Sequence, residues 1–172
     1  MDRFGINRRH LIASLIAGLG AGACSSVPMP KLADGPPRVP VKTAIRLGPA
    51  PIKGPDARFA FTQISGAPAV QVMNFSRALD SEAEIRKLNI VPEGDPSATY
   101  LVKGYLSAIG DKRGTLLVYV WDVTDPSGKR LHRVSGQQES GGSPSDPWAG
   151  ITEDAVLTAA KRTIDDLAAW SN

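Results

Sequence analysis

One cysteine, Cys24, and two histidines, His10 and His132, are all that the 172 residues hold of the side chains that most often bind transition metals or pair as nucleophile and base. A single thiol excludes an intrachain disulfide and a thiolate zinc cage. Metal ligands would have to be carboxylates alone, and no Asp-rich calcium spacing is present. There is no G-x-S-x-G elbow, so a Ser-His-Asp site would rest on His132 meeting Asp122 and some serine, with no motif to bring them together. His132 is read instead as a cross-strand residue beside Trp121. Asp80, Glu82 and Glu84 fit a solvated helix face. Asp165 and Asp166, adjacent on a helix, diverge where glycosidase carboxylates must flank a bond. The expectation is a protein that is not an enzyme and that uses no cofactor and no metal.

Long hydrophobic runs and a surplus of one charge are also missing. Leu11 to Ala23 is apolar over 13 residues, short of the roughly 20 that span a bilayer. Lys and Arg number 20 against 17 Asp and Glu, but Arg3, Arg8, Arg9 and Asp2 lie within residues 1–23; without them 17 basic side chains face 16 acidic ones. That balance points to no nucleic-acid partner. Lys103-Gly104-Tyr105 matches the opening of an RNA-binding strand motif, yet Leu106 and Ser107 break its continuation. Trp121-Asp122 stands without the repeats of a propeller.

What is present begins at the N-terminus. Arg3, Arg8 and Arg9 precede the glycine-diluted apolar stretch, and Ala21-Gly22-Ala23 supplies the small residues of a cleavage site, so residues 1–23 read as an export signal. Cys24 follows directly. Ala21-Gly22-Ala23-Cys24 resembles the bacterial lipobox, in which the cysteine is acylated on sulfur and becomes the mature N-terminus; Ala21 stands where that motif usually carries Leu. The resemblance implies lipidation at Cys24 and attachment to a membrane. A plain secreted protein with a free Cys24 is the other reading, although an exposed thiol in an oxidising compartment invites intermolecular disulfides. Ser25, where an Asp would retain the protein at the inner membrane, resembles the signal for the periplasmic side of the outer membrane; periplasm or inner membrane is the alternative. Asn7-Arg8-Arg9-His10-Leu11-Ile12 resembles a twin-arginine motif, and an ordinary positive n-region fits equally well.

Residues 25–57 contain 8 of the 14 prolines and no sustained apolar period, so residues 24–57 read as a lipidated N-terminus and a tether. Extended proline-rich chain rises about 3.1 Å per residue, which gives such a tether a reach of roughly 100 Å, and nearer 30 Å as coil. Residues 58–172 have the size of one domain and show no internal repeat. Phe59 to Ser65 reads as a strand, and Val72, Phe75, Leu79 and Ala83 share one face of a helix that follows Pro68. Leu88 to Val91 is a short strand. Thr99 to Ile109, Thr115 to Thr124 and Lys129 to Glu139 form three antiparallel strands joined at Asp111-Lys112-Arg113-Gly114 and Asp125-Pro126-Ser127-Gly128. Asp146-Pro147 resembles a helix cap, and Val156, Ala160, Thr163, Leu167 and Trp170 follow at helical spacing. The β-α-β-β-β-β-α order predicts an α+β fold, a mainly antiparallel sheet with two helices packed on one face.

Pairing Ile109 with Thr115 places Tyr105 opposite Tyr119, Lys103 opposite Trp121 and Leu101 opposite Val123. One face is then aromatic, and Val102, Leu106, Ala108, Leu116, Val118 and Val120 lie on the other, under the helices, with Gly104 opposite Val120 allowing a helix to approach. Tyr105, Tyr119, Trp121 and Lys103 become the candidate partner-binding residues. The aromatic face is either a partner platform or a surface covered by Phe59, Phe61 or the tether, and the following strand places either His132 or Arg133 beside it.

The stretch Ala98-Thr99-Tyr100-Leu101-Val102-Lys103-Gly104-Tyr105, the run Val118-Tyr119-Val120-Trp121-Asp122-Val123 and a terminal helix after a proline-rich lipoprotein tether resemble small alphaproteobacterial envelope lipoproteins of unassigned function. More distantly, the order of elements is similar to the lipoprotein activators of penicillin-binding proteins, the amino-terminal domain of TolB and the curli-secretion lipoprotein. The resemblance implies a lipid-anchored periplasmic adaptor that binds another envelope protein, in envelope assembly or cell-wall machinery, and brings no catalytic residue. A small-ligand or glycan binder, with Trp148 and the Gly141-Gly142 loop as its rim, is the alternative.

Overall fold

The computed structural model describes residues 45–46, 48–141 and 145–172, with side chains from residue 48 onward. The export signal, Cys24 and the first part of the tether lie outside the described residues. Among those described, the strands and α-helices in chain order are β1 (Ile45–Arg46), β2 (Arg58–Ser65), α1 (Ala69–Arg86), β3 (Asn89–Ile90), β4 (Tyr100–Asp111), β5 (Gly114–Thr124), β6 (Arg130–Ser140) and α2 (Glu153–Ser171), with a single 3-10 turn at Gly54–Asp56 before β2. The strands form one six-stranded sheet in the order β1-β6-β5-β4-β2-β3.

The α+β class holds, with two helices, but the sheet is mixed and not mainly antiparallel. β4, β5 and β6 pair antiparallel as their short turns require, and β1 joins β6 antiparallel. β2 lies parallel to both β4 and β3. The reason is the helix between β2 and β3: 18 residues of α1 carry the chain back about 27 Å, to the end where β2 began. A strand that follows such a return runs parallel to the one before it.

Both helices cover the same face of the sheet. Phe75 of α1 reaches Trp121 with ring centroids 5.6 Å apart, and Trp170 of α2 lies 5.0 Å from Tyr100 and 4.8 Å from His132. The apolar spacing explains this. All five residues of the α2 stripe are buried, and on α1 Phe75, Leu79 and Ala83 are buried while Val72 is half-buried. α1 starts at Pro68, whose carbonyl accepts from the N–H of Gln71 and Val72, and ends at Lys87 in the left-handed conformation, φ 57°.

The start of α2 differs from the sequence expectation. Asp146 stabilises an isolated turn, accepting from the Ala149 N–H at 3.2 Å on its side chain and from the Gly150 N–H at 3.1 Å on its carbonyl. Thr152 caps the helix, its side chain accepting from the Ala155 N–H. The buried Ser140 hydroxyl selects this later start: it donates to the Gly150 carbonyl at 2.6 Å and accepts from the Thr152 N–H at 3.0 Å. One oxygen thereby ties the end of β6 to the first turn of α2.

Residues 48–57, read from sequence as the end of the tether, are part of the domain. The Trp170 indole N–H donates to the Gly48 carbonyl at 3.0 Å. The Tyr100 hydroxyl donates to the Ile52 carbonyl and accepts from the Ile52 N–H, both at 2.7 Å. Ala50 and Ala57 are buried, and this strap belongs to the same compact unit as the sheet. Pro49, Pro51 and Pro55 suit it because proline has no N–H to leave unsatisfied and holds φ near −65° without a ladder partner.

Candidate functional site

The central hairpin positions every candidate partner-binding residue. Its turn is as short as a hairpin turn can usefully be: Asp111 pairs with Gly114, leaving Lys112 and Arg113 as a two-residue loop, and the Asp111 carboxylate accepts from the Arg113 N–H at 2.8 Å. Gly114 has φ +131°, and a side chain there would meet the Ser140 carbonyl, so glycine is required. This turn sets the register one residue away from the sequence expectation. Ile109 pairs with Leu116, Tyr105 with Val120, Gly104 with Trp121 and Leu101 with Thr124.

A slip of one residue exchanges the faces of one strand relative to the other. Trp121 and Tyr119 are on the helix-covered side, 0% and 3% exposed, while Tyr105 is 48% exposed on the opposite side with Lys103. The four candidate residues are therefore not one surface. Trp121 stands edge-on to Phe61 at 5.5 Å and is seated over Gly104. That glycine makes room for an indole ring and not for an approaching helix. Gly136 on β6 does the same for Tyr119. These two glycines, each beside a large aromatic, are the sequence signal that would have identified the buried face. Burial raises the pKa of the Tyr119 hydroxyl.

Val118 and Val120, expected under the helices, lie on the open side with Tyr105. His132 shares the covered face with Trp121 but pairs with Val123, and it stacks on Trp170 at an interplanar angle of 7°. Arg133 is on the open side.

The open side of the hairpin and β6 is organised in rows across the strands. One row is ionic: Lys103, Asp122 and Arg133 are aligned, and Arg133 donates from Nε to Asp122 Oδ1 and from Nη2 to Oδ2, both at 2.6 Å. Arg130 approaches the same carboxylate at 3.8 Å. The hydrogen bonds to the Asp122 carboxylate raise the pKa of Arg133 further, so the guanidinium stays charged. The next rows align Tyr105 with Val120 and Ser135, Ser107 with Val118 and Gln137, and Ile109 with Leu116 and Glu139. Tyr105, Val120, Val118 and Ile109, with the buried Leu116, thus form an apolar stripe beside a two-point ion pair. Tyr105 and Ile109, 48% and 49% exposed, are its outermost groups.

Trp148 does not stand free as a rim. It is half-buried and packs against the core, and its carbonyl accepts from the Gln71 side-chain amide at 3.3 Å. Gly142 of the same loop lies outside the described residues. Among the described residues no group of three or more His, Cys, Asp or Glu could hold a metal ion, and no helix is long and apolar enough to cross a membrane.

No protein-family model matches the chain, and no curated protein matches it. Among solved structures the chain is similar to the PelC dodecamer from Paraburkholderia phytofirmans, with a TM-score of 0.46 and 10% identity over 72% of this chain and 96% of that one. A single-substitution variant of the same PelC gives a TM-score of 0.44 and 12% identity, again over 72% of this chain and 96% of that chain. A PDZ domain protein from Parabacteroides distasonis ATCC 8503 is similar over 61% of this chain and 30% of its own length, at a TM-score of 0.41 and 8% identity.

Proposed function

We propose that the chain is a lipid-anchored periplasmic adaptor that binds another envelope protein through the open face of its sheet. The observation that carries this reading is the one-sided arrangement of the fold: both helices pack on one face, and on the other Tyr105 and Ile109 remain about half exposed beside Val118 and Val120. Contiguous exposed apolar surface is uncommon on soluble monomers and marks interaction sites. The composition fits a protein partner, since an aromatic anchor beside β-branched residues offers area at small entropic cost, and the Asp122–Arg133 fork presents a fixed polar edge.

The anchor in this reading is a lipid on Cys24, placing the domain on the periplasmic side of the outer membrane, where envelope-assembly or cell-wall machinery supplies the partner. With β1 paired to β6 and the strap from Gly48 held on the domain, residues 25–44 remain as tether, about 20 residues with a reach of about 60 Å when extended. Co-purification of the partner with the parent, Tyr105→Ala and Ile109→Ala chains tests the assignment. The account expects each variant to lose partner while keeping the parent melting temperature. Undiminished co-purification by both variants overturns it.

A further inference from the structure

We propose that the cleft between α1 and the start of α2 is a second, independent binding site, for an amino acid or dipeptide that carries both a free ammonium and a free carboxylate together with an aliphatic side chain. The cleft has a volume of about 330 Å³, at the lower end of the roughly 300–1,000 Å³ of pockets that hold small ligands. It lies on the helix layer, away from the open face of the sheet, so it stands or falls separately from the adaptor reading.

The lining divides into an apolar floor and two walls of opposite charge. Ala78, Ile151 and Val156 are buried at the bottom, and Leu157 forms an exposed apolar lip. On one wall Gln71, Asn74, Arg77 and Ser81 follow one another at spacings of three and four along α1, which puts them on one face. The opposite wall presents Glu153 from the first turn of α2. The Arg77 guanidinium has a contact to Met73 Sδ at 3.5 Å, and no carboxylate of the described residues pairs with it. Glu153 likewise has no ion-pair partner among the described residues. The Gln71 amide nitrogen is engaged by the Trp148 carbonyl, which fixes that side chain and leaves its oxygen as an acceptor.

Each alternative ligand class meets a mismatch. A phosphate group would find one guanidinium and face the Glu153 carboxylate. A lipid chain would desolvate the polar wall of α1 without replacing its hydrogen bonds. A glycan favours an aromatic platform, and among the described residues no aromatic ring lines the cleft. A zwitterion uses both walls, with its carboxylate accepting from Arg77 and its ammonium donating to Glu153, while the aliphatic group lies over Ile151 and Val156. Such charge-assisted pairs are the stronger hydrogen bonds.

Titration of the full mature chain with L-leucine and L-leucyl-L-alanine, followed by calorimetry and amide chemical-shift changes, tests the assignment against the same dipeptide with its amine acetylated and its carboxyl amidated. At least one zwitterionic probe should bind saturably, with shift changes centred on Asn74, Arg77, Ile151 and Glu153, and the blocked dipeptide should bind at least about tenfold more weakly. Arg77→Gln and Glu153→Gln should each weaken binding about tenfold; both alter exposed side chains, so both variants should remain folded, with Glu153→Gln melting at most a few degrees below the parent because a carboxylate leaves the first turn of α2. No saturable binding up to about 10 mM, equal binding of the blocked dipeptide, or undiminished binding by both variants overturns the proposal.

Discussion

Gly104 lies directly beneath the indole of Trp121: the two pair across β4 and β5, and a Cβ on residue 104 would overlap ring atoms Cζ3 and Cε3. Phe61 and Phe75 hold the ring from other sides, so it cannot withdraw without opening the core. Gly104→Ala is therefore expected to destabilise the domain by about 1–3 kcal/mol, the usual cost of overpacking. Urea unfolding of parent and variant measures it; an unchanged midpoint would place the indole elsewhere.

The hairpin register makes opposite predictions for two aromatic residues that sequence alternation put together. Trp121→Ala removes a fully buried ring and should cost about 3–5 kcal/mol, whereas Tyr105→Ala on the open face should change stability by less than about 1 kcal/mol. Trp121→Phe should be much milder than Trp121→Ala, because the indole N–H has no acceptor among the described residues and the site is served by ring volume. Equilibrium denaturation of the three variants decides the register: comparable losses for Tyr105→Ala and Trp121→Ala would return both to one face.

Alkaline pH tests the strap. Burial raises the pKa of the Tyr100 hydroxyl, which donates to the Ile52 carbonyl. A folded-state pKa above the unfolded value of about 10 means that this contribution is fully present below pH 10 and is lost as pH rises through the folded value. Tyr119 acts in the same direction. The melting temperature should therefore fall above about pH 10, and Tyr100→Phe should make that fall shallower while costing about 1 kcal/mol at neutral pH. An identical alkaline limb in the variant would contradict the role given to Tyr100.

Cys24→Ala tests the anchor. The variant should appear in the soluble periplasmic fraction, and the intact mass of the membrane-associated parent should include acyl chains. A parent without acyl mass, or a variant that still partitions with membranes, would remove the lipid from the account.

Helices and turns were legible in the sequence because their signals are local. The α2 stripe from Val156 to Trp170 has a single helical reading, and Asp125-Pro126-Ser127-Gly128 forms its turn with the Gly128 N–H on the Asp125 carbonyl at 2.9 Å. The hairpin register was not legible, because apolar residues occur on both faces of β4: Leu101, Tyr105 and Ile109 alternate with Val102, Leu106 and Ala108. Alternation then supports two registers, and only the length of the turn chooses between them. The parallel placement of β2 was hidden for a similar reason. Phe59, Ala60 and Phe61 are apolar in succession, which identifies an interior strand but not its neighbours. Of the four candidate partner-binding residues, Tyr105 and Lys103 face the open side and Tyr119 and Trp121 build the core.

The most direct test of the central claim is site-specific photocrosslinking in cells, with a photoreactive amino acid in place of Tyr105 on the open sheet face or of Ile85, an exposed residue of α1. The account predicts a discrete adduct with one envelope protein from position 105, none from position 85, and loss of the adduct when Ile109→Arg is added to the same chain. An adduct from position 85 with none from position 105, or a position-105 adduct that survives Ile109→Arg, would contradict it.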